Sequence, residues 1–437
     1  MTEDRPTIAY LTAGGGGMYC GSCMRDNTLA RALLALGCDV QLIPTYTPIR
    51  TDEESVAIDQ VFFGGINVFL QQKLPLLRHL PNLFDRWLDR PWLIRRFAGG
   101  NIETSAKMLG ALSVSMLRGE SGRQRKEVRR LTTWLEKSLR PDLINLSNIL
   151  IAGCVPCLKR RLGVPVLVTL QGDDLFLNQL TEPYRQQALT LIRQLAGDID
   201  GFLVFSRYYA DHMADYLGIP AEKMHVVPMG IDLQGFPPAA EEKNSPHDRP
   251  QTLGYLARIC PEKGFHVLID AYLQLRKMPG TEHTRLAVAG WLGQGDRPFY
   301  EAQIERLRQA DAAEYFYNAG VVDRAQKIAF LKSLDVLSVP TTYREPKGIF
   351  VLEALAAGVP VVQPQHGAFP ELLAATGGGL MFRPDDPAHL AEQLHAVLTE
   401  PDRRRQLAAA GQANVQERFG AEAMAQSTLA VYRKFLG

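Results

Sequence analysis

The feature that most constrains this chain is a pattern that runs twice. A short β-rich apolar run, Thr7 to Thr12, leads into four glycines, Gly14 to Gly17, then the helical pattern Asn27 to Leu36 and a second strand, Asp39 to Pro44. Strand, glycine turn, helix and strand open a βαβ unit, which requires a parallel sheet covered by helices. The alternation continues through Asp142 to Leu146, Val164 to Leu170, Gly201 to Phe205 and His225 to Val227. It stops at Pro237 to Gln251, where four prolines, mixed charge and no apolar period read as a linker. It then restarts with strand Thr252 to Ala257, helix Gly264 to Lys277 and strand Arg285 to Ala289. Further strands are expected at Glu314 to Tyr317, Val336 to Val339 and Val359 to Val362, with helices dominant from Pro387 onward. The expected fold class is α/β, with two doubly wound Rossmann-like domains, and 437 residues is the right length for two.

Charge excludes some functions. Lys plus Arg (48) nearly cancels Asp plus Glu (47), so the balance gives no sign of a nucleic-acid partner. The start, MTEDRPTIAYLTAGGGG, has no export-signal pattern, and no run of 18 apolar residues occurs. Six cysteines do not make a disulfide scaffold. These readings imply a soluble, cytoplasmic protein with reduced thiols. Two stretches are locally basic: Val68 to Gly99 has two tryptophans and six Lys/Arg against two Asp, and Arg118 to Arg130 has six basic and two acidic residues. They read as an inserted helical hairpin with solvated basic faces, or as an acceptor-binding or membrane-surface flap.

The chemistry-bearing residues concentrate in the second half. LGYLARICPEKGFHVLIDAY places Arg258 and Lys263 in a loop between a strand and a helix, at the carboxyl edge of a parallel sheet. Two cations beside a helix N-terminus suit a phosphate or diphosphate. In VPTTYREPKGIFVLEALAAGVPVV, Pro346 is expected at the first helical position, with Glu345 at the helix mouth and Glu353 about two turns further in. Carboxylates accept from hydroxyl pairs, which suits a sugar and a ribose diol. A Glu surrounded by Phe350, Val351 and Leu352 also needs a buried partner.

The spacing Arg258, Lys263, Gly264, followed by Glu345, Glu353 and ALAAGVPVV, resembles the retaining glycosyltransferases of family four, which have the GT-B fold. FLVFSRYYADHM…GIPAEKMHVVPMGIDLQGF and HGAFPELL…GGGLMFRPDDPAHLAEQL resemble other stretches of that family, and only the Val68 to Arg130 region stands apart. The resemblance implies an N-terminal acceptor domain over 1–236, a linker over 237–251 and a donor domain over 252–419. It also implies a helix over 420–437 that crosses back, and an interdomain cleft closed by hinge motion. Arg258 and Lys263 would then bind the diphosphate of a nucleotide-sugar donor, and Glu345 would hold sugar hydroxyls. The amides of Gly348 and Ile349 would lie near sugar or phosphate, and Glu353 would take the ribose. Gly15 and Gly16 would let backbone amides approach the diphosphate. The transfer implied is front-face, with retained configuration, without cofactor or required metal, to a glycan, lipid-linked or small-molecule acceptor.

One position departs from the family: Gln171 stands where a His is common, after VPVLVTL. Gln hydrogen-bonds a hydroxyl but takes up no proton, so it either keeps a positioning role or marks a degenerate binding protein. Asp173 and Asp174 follow, as acceptor-side groups or as a polar helix start. The pairs Cys20/Cys23 and Cys154/Cys157 could hold zinc or a redox disulfide if they met, or be buried small residues. Asp198 and Asp200 spell D-x-D but lead into a strand and read as a turn. A nicotinamide-dependent oxidoreductase is a third reading; GGGGMYCG lacks the G-x-G-x-x-G register and the second strand ends without an acid.

Overall fold

The computed structural model describes residues 5–14, 21–62, 106–238 and 250–437. Gly15, Gly16, Cys20, most of the 237–251 linker and the 63–105 part of the basic insertion lie outside them. Two compact units emerge, one of Met1–Pro228 with Met424–Gly437, the other of Met229–Ala423.

The first unit is a six-stranded parallel sheet. Its strands are β1 (Thr7–Thr12), β2 (Asp39–Pro44), β3 (Leu143–Leu146), β4 (Val166–Thr169), β5 (Gly201–Val204) and β6 (Met224–Val226). They lie in the order β2-β1-β3-β4-β5-β6. Successive side chains point to opposite faces, and here both faces are buried. Ala9, Leu11, Ile144, Val166 and Val168 enter one core, while Ile8, Tyr10, Leu143 and Leu167 enter the other. The second core is completed by Met424, Leu429 and Tyr432 of the last helix, Ala421–Leu436.

The second unit is also a six-stranded parallel sheet: β7 (Thr252–Leu256), β8 (Arg285–Ala289), β9 (Phe316–Asn318), β10 (Val336–Leu337), β11 (Val361–Pro364) and β12 (Gly379–Phe382). The order is β12-β11-β10-β7-β8-β9, the 3-2-1-4-5-6 Rossmann arrangement read from the far edge. Strand order therefore reverses between β7 and β10, and ligands of open α/β sheets bind at the carboxyl ends flanking such a reversal. The corresponding reversal in the first unit lies between β1 and β3. Strand β12 had no counterpart in the sequence reading. Its residues GLMF are only partly buried at the sheet edge, so the apolar pattern there is short and weak.

Candidate functional site

The loop after β7 carries Arg258 and Lys263, and the loop after β10 carries Glu345, so the reversal point of the second sheet gathers all three at one edge. The first loop is held by its backbone: Ile259 donates to the Trp291 carbonyl at 2.9 Å and the Tyr255 hydroxyl donates to the Arg258 carbonyl at 2.8 Å. A short 3₁₀ turn, Pro261–Lys263, ends at Gly264 (φ 70°), which caps the helix Phe265–Leu275. A Cβ on Gly264 would fall 1.7 Å from the Pro340 carbonyl oxygen, so only glycine lets the two loops approach this closely.

Lys263 Nζ donates to Glu345 Oε2 at 2.7 Å and also to the Tyr343 hydroxyl, which itself donates to Glu345 Oε2 at 2.6 Å. Glu345 Oε1 accepts the amides of Lys347 at 3.2 Å and Gly348 at 3.4 Å. Burial by itself would raise the Glu345 carboxyl, but the Lys263 charge and hydrogen bond, with Tyr343, outweigh it and hold the pKa at about 2. Burial, reinforced by Glu345, pushes the Tyr343 phenol well above its ordinary value. Nothing in the sequence reading singled out Tyr343; a tyrosine two residues before a buried Glu was the available signal.

Arg258 sits differently. Its side chain is 49% exposed and, among the described residues, meets Glu262 at 3.8 Å and the Cys260 thiol at 3.3 Å. It is a cation held at the sheet edge with most of its donors facing water. The helix geometry needs a correction. The helix begins at Ile349, not Pro346, because Gly348 (φ 71°) is its N-cap in the left-handed conformation. Glu353 is thus little more than one turn in, and the Lys347 and Gly348 amides serve Glu345. The amides of Ile349 and Phe350 open the helix, without carbonyl partners one turn earlier in it.

Glu353 has the buried partner that its surroundings demanded. Lys327, on the helix Arg324–Lys332, donates to Glu353 Oε1 at 2.6 Å, and both residues are less than a tenth exposed. Lys327 could not be foreseen, because a single Lys in RAQKIAFLK looks like a solvated helix residue.

In the first unit, Gln171 follows β4 and is buried. Its Nε2 donates to Asp26 Oδ1 at 3.0 Å and to the Ser147 carbonyl at 2.9 Å. Both partners are acceptors, so the amide orientation is fixed, and Oε1 is buried with no hydrogen-bond partner among the described residues. Asp26 also accepts from Thr12 at 2.8 Å and Tyr10 at 3.0 Å, and Arg25 donates to Tyr10 at 2.6 Å. The buried Arg25 and Asp26 were missed by sequence reasoning, since MRDN at the start of a helix reads as exposed.

Asp173 and Asp174 begin the helix Asp173–Gln179, and both are buried. Asp173 accepts the amides of Ile149 at 2.9 Å and Gln171 at 2.7 Å, yet burial still raises its pKa to about 6. For Asp174, burial is outweighed by His212 and by the Tyr209 hydroxyl at 2.7 Å, so its carboxyl lies below the ordinary range.

Cys154 and Cys157 pack in the apolar core, and burial raises the Cys154 thiol to about 12, the reverse of what a thiolate ligand needs. No group of three or more potential metal ligands occurs among the described residues. Asp200 is a strand-end clasp: Lys159 reaches it at 2.8 Å and its Oδ2 accepts the Val166 amide at 2.7 Å.

The family of glycosyl transferases group 1 matches residues 238–414, and a glycosyl transferase 4-like domain matches residues 27–230. The chain belongs to the group 1 glycosyltransferases. This glycosyltransferase is 28% identical over 300 residues to a glycogen synthase of Mycobacterium tuberculosis, covering 68% of this chain and 70% of that one. It is 30% identical to the D-inositol 3-phosphate glycosyltransferase of Segniliparus rotundus over 292 residues, covering 64% of this chain and 63% of the relative. Its architecture matches the crystal structure of Anabaena HepE in complex with UDP, with a TM-score of 0.67, 16% identity, 98% of this chain and 100% of the other. That likeness establishes the GT-B fold, two Rossmann-like units, and membership of a transferase family leaves the oxidoreductase reading without support. No described helix of the glycosyltransferase is long and apolar enough to cross a membrane.

Proposed function

We propose that this glycosyltransferase moves a sugar from a nucleotide-diphosphate donor to an acceptor hydroxyl with retention of anomeric configuration and without a metal. The observation that carries the reading is the Lys263–Tyr343–Glu345 cluster, with the exposed Arg258 on the same loop, at the strand-order reversal of the second sheet. Arg258 and Lys263 offset the charge that develops on the departing nucleoside diphosphate. Glu345, ionised and fixed, accepts from sugar hydroxyls, and Glu353 meets the ribose diol from the first turns of the same helix. The Ile349 amide adds a donor at the helix start. Gln171 positions a donor hydroxyl through its unpartnered Oε1.

Retention is supported by the electrostatics. A carboxylate with a pKa of about 2, already paired to Lys263, is a weak base and a weak nucleophile. The proton of the acceptor hydroxyl then passes to the leaving phosphate oxygen on the same face. UDP in the related Anabaena structure makes a uridine nucleotide the first donor base to test. The acceptor, glycan, lipid-linked or small, meets the first unit in the cytoplasm, and the 68–130 region is the part suited to touch a membrane surface.

The test is a product analysis with UDP-glucose, UDP-galactose and GDP-mannose, reading the one-bond C1–H1 coupling constant of the transferred sugar by NMR. An α product from an α donor, absent with Arg258→Ala, supports the assignment. An inverted product would overturn the retaining mechanism.

A further inference from the structure

The first unit carries a concave surface lined by residues other than those assigned to the donor. The helices Ala106–Leu117 and Arg125–Trp134, the turn between them and the start of the helix Tyr184–Asp198 enclose a cavity of about 690 Å³. Val114 and Tyr184 give it an apolar wall, and Arg118, Arg123, Arg125 and Lys126 give it four cations. Among the described residues, none that lines it is acidic.

The arginines are left in excess because Glu120, the acid between them, is engaged elsewhere. Glu120 pairs with Arg129 at 3.2 Å and with Arg160, and Glu127 is buried. Arg118 and Arg123 are exposed, and among the described residues neither guanidinium has a hydrogen bond or ion pair. Arg125 engages only its Nε, on the Glu120 carbonyl at 2.8 Å.

The frame that carries these side chains is fixed. Ser115 Oγ donates to Gln124 Oε1 at 3.0 Å and accepts the Arg123 amide at 3.0 Å, while Ser121 Oγ donates to the Arg118 carbonyl at 2.8 Å. Gly110 packs so close to Tyr184 that a Cβ would fall 2.7 Å from its ring. Like charges held side by side on a rigid frame repel, and an anion bound among them removes that repulsion.

We propose that this cavity binds a phosphate ester. Planar guanidinium forks match phosphate oxygens two at a time, so Arg118 and Arg123 hold the phosphate and Arg125 and Lys126 add charge. The volume lies in the range of small-molecule pockets and far exceeds one phosphate, which leaves room for an organic group against Val114 and Tyr184. A soluble sugar phosphate and a phospholipid headgroup share this chemistry. The site stands independently of the donor assignment, since none of its residues belongs to the loops after β7 or β10.

Binding to the full chain is measured with glucose 6-phosphate by calorimetry, and with vesicles of phosphatidylcholine alone or mixed with phosphatidylglycerol by co-sedimentation. The variants are Arg118→Gln/Arg123→Gln, Arg258→Ala and, as a charge control on an exposed helix, Arg403→Gln/Arg405→Gln. The expected result is that one probe binds wild type, binds Arg118→Gln/Arg123→Gln at least tenfold more weakly, roughly 1.4 kcal/mol, and binds the other two unchanged. Glucose 6-phosphate as that probe identifies a soluble ester; the mixed vesicles alone identify a headgroup. The proposal is overturned if wild type binds neither probe, if Arg118→Gln/Arg123→Gln binds as wild type does, or if the charge control loses as much. Loss confined to Arg258→Ala would also overturn it by placing the anion at the donor loop.

Discussion

Replacing Lys263 by Met isolates the interaction that organises the second unit's site. In wild type the Glu345 carboxyl is shifted from its ordinary 4.5 to about 2, against a burial effect that acts the other way. At about 1.4 kcal/mol per pH unit, that shift corresponds to roughly 3 kcal/mol of folding stability. The sign follows from the depressed value: the contribution is fully present above about pH 4.5 and fades as pH falls toward 2. Lys263→Met keeps most of the apolar stem but removes the charged Nζ, which lies 5.0 Å from the Tyr343 ring centre and 5.4 Å from that of Phe350. Burial then dominates, the Glu345 carboxyl rises, and a buried anion is left without a cation, a loss of about 3–5 kcal/mol near neutral pH. Urea unfolding of both proteins at several pH values, followed by tryptophan fluorescence and circular dichroism, reads this directly. The gap should be widest near neutral pH and narrow as pH falls, first as the variant's raised carboxyl takes up its proton and then, below about pH 4.5, as wild type loses its own advantage. A variant as stable as wild type near neutral pH, or a gap that does not change with pH, would refute the reasoning.

Other outcomes follow from the same geometry. Arg258→Ala should change stability by less than about 0.5 kcal/mol, because its ion pair is exposed, and cut transfer by ~10²-fold or more; equal losses in both would contradict a role toward the leaving diphosphate. Glu353→Ala and Lys327→Met should each cost several kcal/mol, up to about 3–5, by removing one side of a buried ion pair, and only the Glu353 variant should also weaken nucleotide affinity by titration calorimetry. Asp173, raised from 3.8 to about 6, penalises the folded state when ionised, so the stability of wild type relative to Asp173→Asn should rise by roughly 3 kcal/mol between about pH 8 and pH 4; a difference independent of pH would show that the carboxyl is not shifted. Treatment with EDTA should leave melting temperature and transfer unchanged, and a loss of either would point to a bound metal.

Much of the architecture was legible because parallel sheets announce themselves. The strands Thr7–Thr12, Asp39–Pro44 and Arg285–Ala289 lie where the apolar runs place them, since a strand buried on both faces must be apolar throughout. Boundaries failed where backbone conformation, not side-chain pattern, decides. Pro346 is a good first helical residue, but Gly348 adopts a left-handed conformation and starts the helix three residues later. The cationic loop and Glu345 could be read from their spacing. What escaped was pairing between distant segments: Lys327 with Glu353, Tyr343 with Lys263, and Gln171 with Asp26. Each buried polar group implied that a partner exists, but topology alone chose which residue it is. Cys154 and Cys157 show the converse, a motif whose spacing suggests chemistry and whose burial in an apolar core makes it packing.

The most direct test of the central claim is thermal unfolding of wild type and Arg258→Ala with UDP, GDP, ADP and NAD. A ligand at about 100 times its Kd stabilises a protein by roughly 2.7 kcal/mol, a readily measured shift. The account predicts that one nucleoside diphosphate raises the melting temperature of wild type and much less that of Arg258→Ala. A shift from NAD alone, or the same nucleotide shift in both proteins, would contradict it.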